Sequence, residues 1–259
     1  MTETLSVDQI VPGDNDRTEF DQLALEELAE SIEADGLQQP MVVRPIWLCE
    51  RCGKRQSSHD WTGFCPSCGG DLWREVYEIV AGERRFRAMR DVLGWGTLEI
   101  GKHVMIRNLD DEAASRIMLT ENLQRVDLNP IDEAKAYKKR MDQFGWTEEQ
   151  VAEAAHVHVS RVRIRLALLD LIPDAQHLIK GEQIGIKYGY AMRELDGARQ
   201  QIALNWLRDQ ENPTLRTFRR LCGRLLAEQA QEAMFDLAQF MAEIHAEEAE
   251  QEDDSPRLI

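Results

Sequence analysis

"YEIVAGERRFRAMRDVLG", residues 77–94, joins an apolar run, a glycine and a cluster of arginines back to back. Tyr77 to Ala81 carries Ile79 and Val80 in a short apolar stretch of the kind that forms a strand, and Gly82 interrupts it. From Glu83 the spacing predicts a helix to about Leu93. A strand that turns directly into a helix leaves backbone N–H groups and the positive end of the helix dipole facing a crevice, where an anion is stabilised. Arg84, Arg85 and Arg87 crowd that turn, in a chain of 259 residues whose formal net charge is −16. Guanidinium forks match phosphate oxygens in pairs, so a phosphate-bearing ligand is one reading. Pairing of the same arginines with surface acids such as Glu83 and Asp91 is the other.

Outward from this turn, "LALEELAESIEADG" (23–36) places Leu25, Leu28, Ala29 and Ile32 at i, i+3, i+4 and i+7, an amphipathic helix that Gly36 closes. "MVVRPIWL" (41–48), "LWREVYEIVAG" (72–82) and "HVMIRNL" (103–109) read as strands. Strands alternating with helices describe a small α+β domain over residues 1–110. A helical domain over 111–200 and C-terminal helices with an acidic tail over 201–259 follow.

The negative charge sits at the two ends. Residues 1–35 carry −10 and residues 225–259 carry −9, which leaves 36–224 at +3, so the acidic total does not exclude nucleic acid. No apolar stretch is long enough to span a bilayer and the first ten residues lack a secretory pattern, so the expectation is a cytoplasmic protein without a membrane partner. The run 247–254 is polar and acidic enough to lack order.

Residues 46–74 form an insertion between the first two strands. Within it Cys49, Cys52, Cys65 and Cys68 follow C-x2-C-x12-C-x2-C, each pair followed at once by glycine. Two such knuckles bring four thiolates onto one ion, and with no ligand position left open a zinc ion here is structural. Iron in a rubredoxin-like site uses the same ligands. His59 and Cys222 fall outside the spacing and read as a surface histidine and a buried thiol. Lys54, Arg55 and Trp61 are candidates for a surface presented to DNA or a partner, or are ordinary solvent-exposed positions.

"ENLQR" (121–125) ends the helix that begins near Asp111. Glu121 and Asn122 are hard oxygen ligands suited to Mg²⁺ on a phosphate chain, and Gln124 and Arg125 are further anion donors; a solvated helix end is the alternative. Downstream, "TEEQ" (147–150) is a capping box, and 147–169 has the shape of a helix-turn-helix, with Ala152 at the packing position and His156 in the turn. Its second helix, from about Ser160, carries Arg161, Arg163 and Arg165, suited to guanine edges and phosphates in a major groove. Phe218, Leu221, Leu225, Phe235, Leu237, Phe240, Met241 and Ile244 recur at helical spacing near the C-terminus, as core or as a dimer face.

"GLQQPMVVRP", "VAGERRFRA" and "ENLQRVDLNPIDEA", in this order, resemble the three sequence boxes of ParB-type partition proteins. The resemblance runs from about Leu5 to Leu195. It implies a ParB/sulfiredoxin-like N-terminal fold and a homodimeric, CTP-dependent clamp on double-stranded DNA, with a partner ATPase. Carried over residue by residue, it assigns nucleotide contacts to Gly36, Gln39, Pro40, Gly82, Glu83, Arg84 and Arg85, beside which Gln124 and Arg125 stand as the anion donors read above. It assigns Mg²⁺ to Asn122, which joins the nucleotide site, and slow CTP hydrolysis to Glu121; Ser160, Arg161, Arg163 and Arg165 are the DNA-contact candidates read from the second helix itself. His156 departs from the family, whose turn usually has glycine there. Two other classes fit the same scaffold: a helix-turn-helix transcriptional regulator without nucleotide turnover, and a ParB-fold phosphotransferase or nuclease.

Overall fold

The computed structural model describes residues 3–13, 21–57, 63–123 and 128–253, with side chains to Phe235. The chain divides into two compact units, Met1–Leu128 with Ala136–Val162, and Asn129–Lys135 with Arg163–Ile259.

The first unit is α+β. Its elements are β1 (Thr4–Ser6), β2 (Ile10–Val11), α1 (Gln22–Asp35), β3 (Met41–Cys49), β4 (Arg55–Ser57), β5 (Trp73–Ala81), α2 (Glu83–Arg87), β6 (Thr97–Glu99), β7 (Val104–Ile106) and α3 (Asp111–Leu123). β3 and β5 run antiparallel along their whole length, with Arg44 opposite Glu78 and Cys49 opposite Trp73. β2 adds to the far side of β5 in parallel. The other edge of β3 is shared: β7 pairs with Met41–Val43 in parallel, and β4 pairs with Ile46–Leu48 antiparallel. β1 and β6 form a separate antiparallel pair.

The helices form where their ends are satisfied. The Asp21 carboxylate accepts from the Leu23 N–H at 3.0 Å to start α1, and Gly36, at φ 74°, ends it with its N–H on the Ile32 carbonyl. After Arg87 the helix widens into a π turn at Ala88–Val92, with the Leu93 N–H on the Ala88 carbonyl, instead of running regularly to Leu93. The wider turn buries Phe86, Ala88 and Met89 together. They pack with Ala29 and Ile32 of α1 on the face of the sheet formed by Met41, Val43 and Ile79. The opposite face is covered by α3, whose Ala114 and Met118, one turn apart, meet Val80 and Val42.

The chain continues through α4 (Pro130–Phe144), α5 (Glu148–Ala154) and α6 (Val159–Leu166). In the second unit α7 (Pro173–Lys180), α8 (Ile186–Met192), α9 (Gly197–Asp209) and the first turns of α10 (Leu215–Asp253) enclose Leu168, Ile179, Met192, Leu204 and Phe218. Gln200 is buried among them: its Oε1 accepts from the Ile172 N–H at 2.7 Å and its Nε2 donates to the Leu195 carbonyl at 2.9 Å. α10 leaves this core as it proceeds, for Met234 and Phe235 are 74% and 73% exposed. Its backbone stays helical to Asp253, through most of the acidic run expected to lack order. Ala, Glu and Gln are strong helix formers, which composition-based reasoning about order does not weigh. Among the described residues no helix is long and apolar enough to cross a membrane.

Candidate functional site

Gly82 stands at the strand-to-helix turn with φ 95°, a left-handed conformation that side chains disfavour. A Cβ there would lie 2.9 Å from Arg85 Nη2 and 3.0 Å from its Nε, so the guanidinium lies directly over the glycine. Arg85 Nη1 donates to the Gln39 carbonyl at 2.6 Å and to the Pro40 carbonyl at 3.0 Å. Burial pushes the Arg85 guanidinium down from its ordinary range while the carboxylate of Glu121 holds it up. Gln39, Pro40, Gly82 and Arg85 thus come together from two separate stretches of sequence, and Glu121, from a third, acts on Arg85 electrostatically. Asn122, next to Glu121 in the last turn of α3, is buried. Gln124 and Arg125 lie outside the described residues.

Gly36, Glu83 and Arg84 make contacts within the chain. Gly36 ends α1. Arg84 Nη2 donates to the Ala24 carbonyl of α1 at 3.3 Å. Glu83 is buried, and its carboxylate accepts from Arg87 Nη2 at 2.7 Å and Nε at 3.1 Å, stapling α2 across one turn. Of the two readings of the arginine cluster, ion pairing describes Arg87, and Arg90 with Asp91. Arg85 instead lies over the turn glycine and donates to backbone carbonyls.

The four insertion cysteines form a cluster in which all Sγ atoms lie within 4.8 Å of one another, with Cys49 and Cys68 at 3.6 Å and Cys52 and Cys65 at 3.5 Å. A tetrahedron with metal–sulfur bonds of about 2.3 Å has edges of roughly 3.8 Å, so the donor set fits a tetrahedral thiolate metal. None of the four forms a disulfide. Each knuckle is a tight turn, the Gly53 N–H on the Cys49 carbonyl at 2.9 Å and the Gly69 N–H on the Cys65 carbonyl at 2.8 Å. Burial raises the Cys65 thiol, but the backbone N–H groups of Ser67 and Cys68 and the neighbouring sulfurs draw it down to about 6. For Cys52 the Lys54 backbone N–H lowers it, and the other three thiols with burial outweigh that and push it up to about 12. Four sulfurs gathered this closely could hold one metal ion among them.

A charged group that the sequence reading passed over lies at the base of this insertion. Arg44 of β3 is buried and donates from Nη2 and Nε to Glu78 Oε2 at 2.7 and 2.8 Å. Its Nη1 reaches Asp111 Oδ1 at 2.7 Å. Arg55, the first residue of β4, donates to Glu78 Oε1 at 3.0 Å and to the Pro12 carbonyl at 2.7 Å. The signal was available: once "MVVRP" and "YEIVA" are aligned as antiparallel neighbours, opposite charges face each other on strands that are otherwise apolar.

In the helix-turn-helix segment, Thr147 and Gln150 make both bonds of the capping box, and Ala152 and Val162 are buried. His156 adopts φ 53°, the left-handed turn the family usually gives to glycine. His158 Nδ1 accepts from the Ser160 N–H at 3.2 Å at the start of α6. Arg161 and Arg163 are exposed on that helix. Arg165 is not: its Nε donates to the buried Glu133 at 2.7 Å.

Two family models match the chain in order. The ParB N-terminal domain matches residues 1–50 and 69–123, passing over 51–68, and the ParB HTH domain matches 126–226. A probable chromosome-partitioning protein ParB of Coxiella burnetii is 37% identical over 202 residues, 78% of this chain and 59% of the relative. A nucleoid occlusion protein of Listeria monocytogenes is 35% identical over 202 residues, 77% of this chain and 59% of the relative. The chain therefore spans about three fifths of the length of these curated relatives. Among solved structures, the C-terminally truncated chromosome-partitioning protein ParB from Caulobacter crescentus, complexed to the centromeric parS site, superposes with a TM-score of 0.56 at 26% identity, covering 86% of this chain and all of that one.

Proposed function

The chain belongs to the ParB family, with that family's N-terminal and helix-turn-helix domains in order, and from that premise we propose that it is a dimeric DNA-binding protein of chromosome or plasmid partition whose N-terminal domain binds CTP with Mg²⁺ and closes as a clamp. The observation that carries the nucleotide half of this reading is the convergence on one guanidinium. Arg85 is tethered to the Gln39 and Pro40 carbonyls, lies over Gly82 and feels the Glu121 carboxylate.

Arg85, already fixed in orientation by two carbonyls, presents its charge to a triphosphate at little further cost in side-chain ordering. Glu121 and Asn122 would hold the divalent cation, and Glu121 would orient a water for slow hydrolysis. Nucleotide binding shifts the protein toward a closed state only in so far as that state binds it better. On the DNA side, exposed Arg161 and Arg163 would reach base edges and phosphates, with Ser160 at the helix start. Cys49, Cys52, Cys65 and Cys68 would hold zinc, which supplies a structural cross-link between two knuckles that have little apolar core. Such a thiolate site suits a reducing, cytoplasmic setting.

The test is binding of labelled CTP, with ATP, GTP and UTP as competitors, to wild type and Arg85→Ala at fixed Mg²⁺ and salt. Selective CTP binding, weakened at least tenfold in the variant, is expected. A folded, zinc-loaded protein that binds no nucleotide would overturn the clamp and leave a DNA-binding regulator.

A further inference from the structure

The position of α3, and with it Glu121 and Asn122, is tied to the cysteine insertion by a line of charges. The line runs Arg55 (β4) to Glu78 (β5) to Arg44 (β3) to Asp111, the first residue of α3. It crosses a cavity of about 240 Å³ whose lining includes Gln56 and Ser57 of β4 and Ala114 and Ser115 of α3. The base of the insertion therefore reaches α3 across that gap through ion pairs, and Arg44 and Glu78 are shielded enough from water for those pairs to matter. Arg44 Nη1 also points at the Leu109 carbonyl at 3.4 Å, just before the helix, and the Asp110 carboxylate caps it through the Ala113 N–H at 2.7 Å. α3 is an unbroken helix from Asp111 to Leu123. A shift of its first turn is carried to its last, about 15 Å away, because the helix moves as a rod.

Arg55 owes its own place to the first knuckle. The Cys49 N–H donates to the Lys54 carbonyl at 2.9 Å, and β4 begins at the next residue. We propose that the metal-loaded insertion is a positioning element for the phosphate site. Metal at Cys49, Cys52, Cys65 and Cys68 fixes Arg55, Arg55 and Arg44 fix Glu78 between them, and Arg44 fixes the start of the helix that ends in Glu121 and Asn122. Arg55 is a positioning residue that touches no nucleotide. The consequence for affinity rests on the CTP reading above; the consequence for α3 does not.

The experiment is a four-cornered cycle on the full chain: wild type and Arg55→Ala, each loaded with Zn²⁺ and after chelation, with Arg55→Lys as the conservative variant. Two quantities are read at each corner, CTP affinity and amide hydrogen exchange over residues 111–123. Zinc removal should weaken CTP binding about fivefold or more in wild type and speed exchange in the first turn of α3. In Arg55→Ala both quantities should already be displaced and respond little to zinc, because metal and arginine act along one line; Arg55→Lys, which can still reach Glu78, should restore part of the response. Additive effects of metal and Arg55, or α3 exchange indifferent to both, would overturn the proposal. If no corner binds CTP, the clamp reading fails on its own and the exchange data still decide this one.

Discussion

Residue types in a motif do not say where their side chains point, and the GERR box shows how much this matters. Glu83 and Arg84 stand beside Arg85 in sequence, yet one is folded back onto Arg87 and the other reaches a carbonyl of α1. Only a structure separates them, since one step along a helix turns a side chain by about 100°. The three arginines of α6 divide in the same way. Arg161 and Arg163 are exposed, while Arg165 is committed to Glu133. Arg163→Ala, at an exposed position, should therefore weaken DNA binding by about 1–3 kcal/mol with a smaller loss of melting temperature than Arg165→Ala. Arg165→Ala should instead lower stability by about 3 kcal/mol, since it takes the cation from a buried carboxylate. Fluorescence anisotropy on a cognate duplex and thermal unfolding of the two variants make the comparison; loss of DNA affinity without loss of stability in Arg165→Ala would contradict it.

Elements were legible in proportion to their length and period. α1, β3 and β5 are long and strongly patterned, and the sequence places them within a residue or two. β1, β2 and β6 have two or three residues each, and pairing such as Leu5 with Leu98 is set by tertiary context. Such strands leave no periodicity to read. The cysteine knuckles were legible for a different reason, that metal geometry is written directly in ligand spacing. The expected outcome is one zinc per chain by metal analysis, retained on dialysis. Cys65→Ser should release it and raise protease sensitivity within residues 46–74 while the helical half keeps its melting behaviour. Metal that survives this substitution would place the site elsewhere.

At the scale of the whole molecule the helical half was foreseen as helical, but α3 turned out to belong to the sheet it covers. Its Ala114 and Met118 look like any helical stripe, and which surface they bury depends on a face of β3 and β5 that no local pattern reports. The far end of α10 carries a related lesson. Beyond Leu225 its apolar residues Met234 and Phe235 face outward, the arrangement expected of a helix that pairs with a second copy of itself. The full chain should then elute and scatter as a dimer and a chain ending at Ala230 as a monomer; equal masses per chain for the two would count against pairing through this helix. The shared outer edge of β3 has a consequence of its own. Where β7 stops at Val43, β4 takes over at Ile46 and covers the strand to Leu48. Excising residues 51–68, the stretch that the family model passes over and that contains β4, would bare the backbone amides and carbonyls of Ile46–Leu48 that β4 pairs with, ready to template a strand from a neighbouring molecule. β4, three residues long, thus moves this part of the sheet's edge onto a very short strand, one of the ways an edge is blunted.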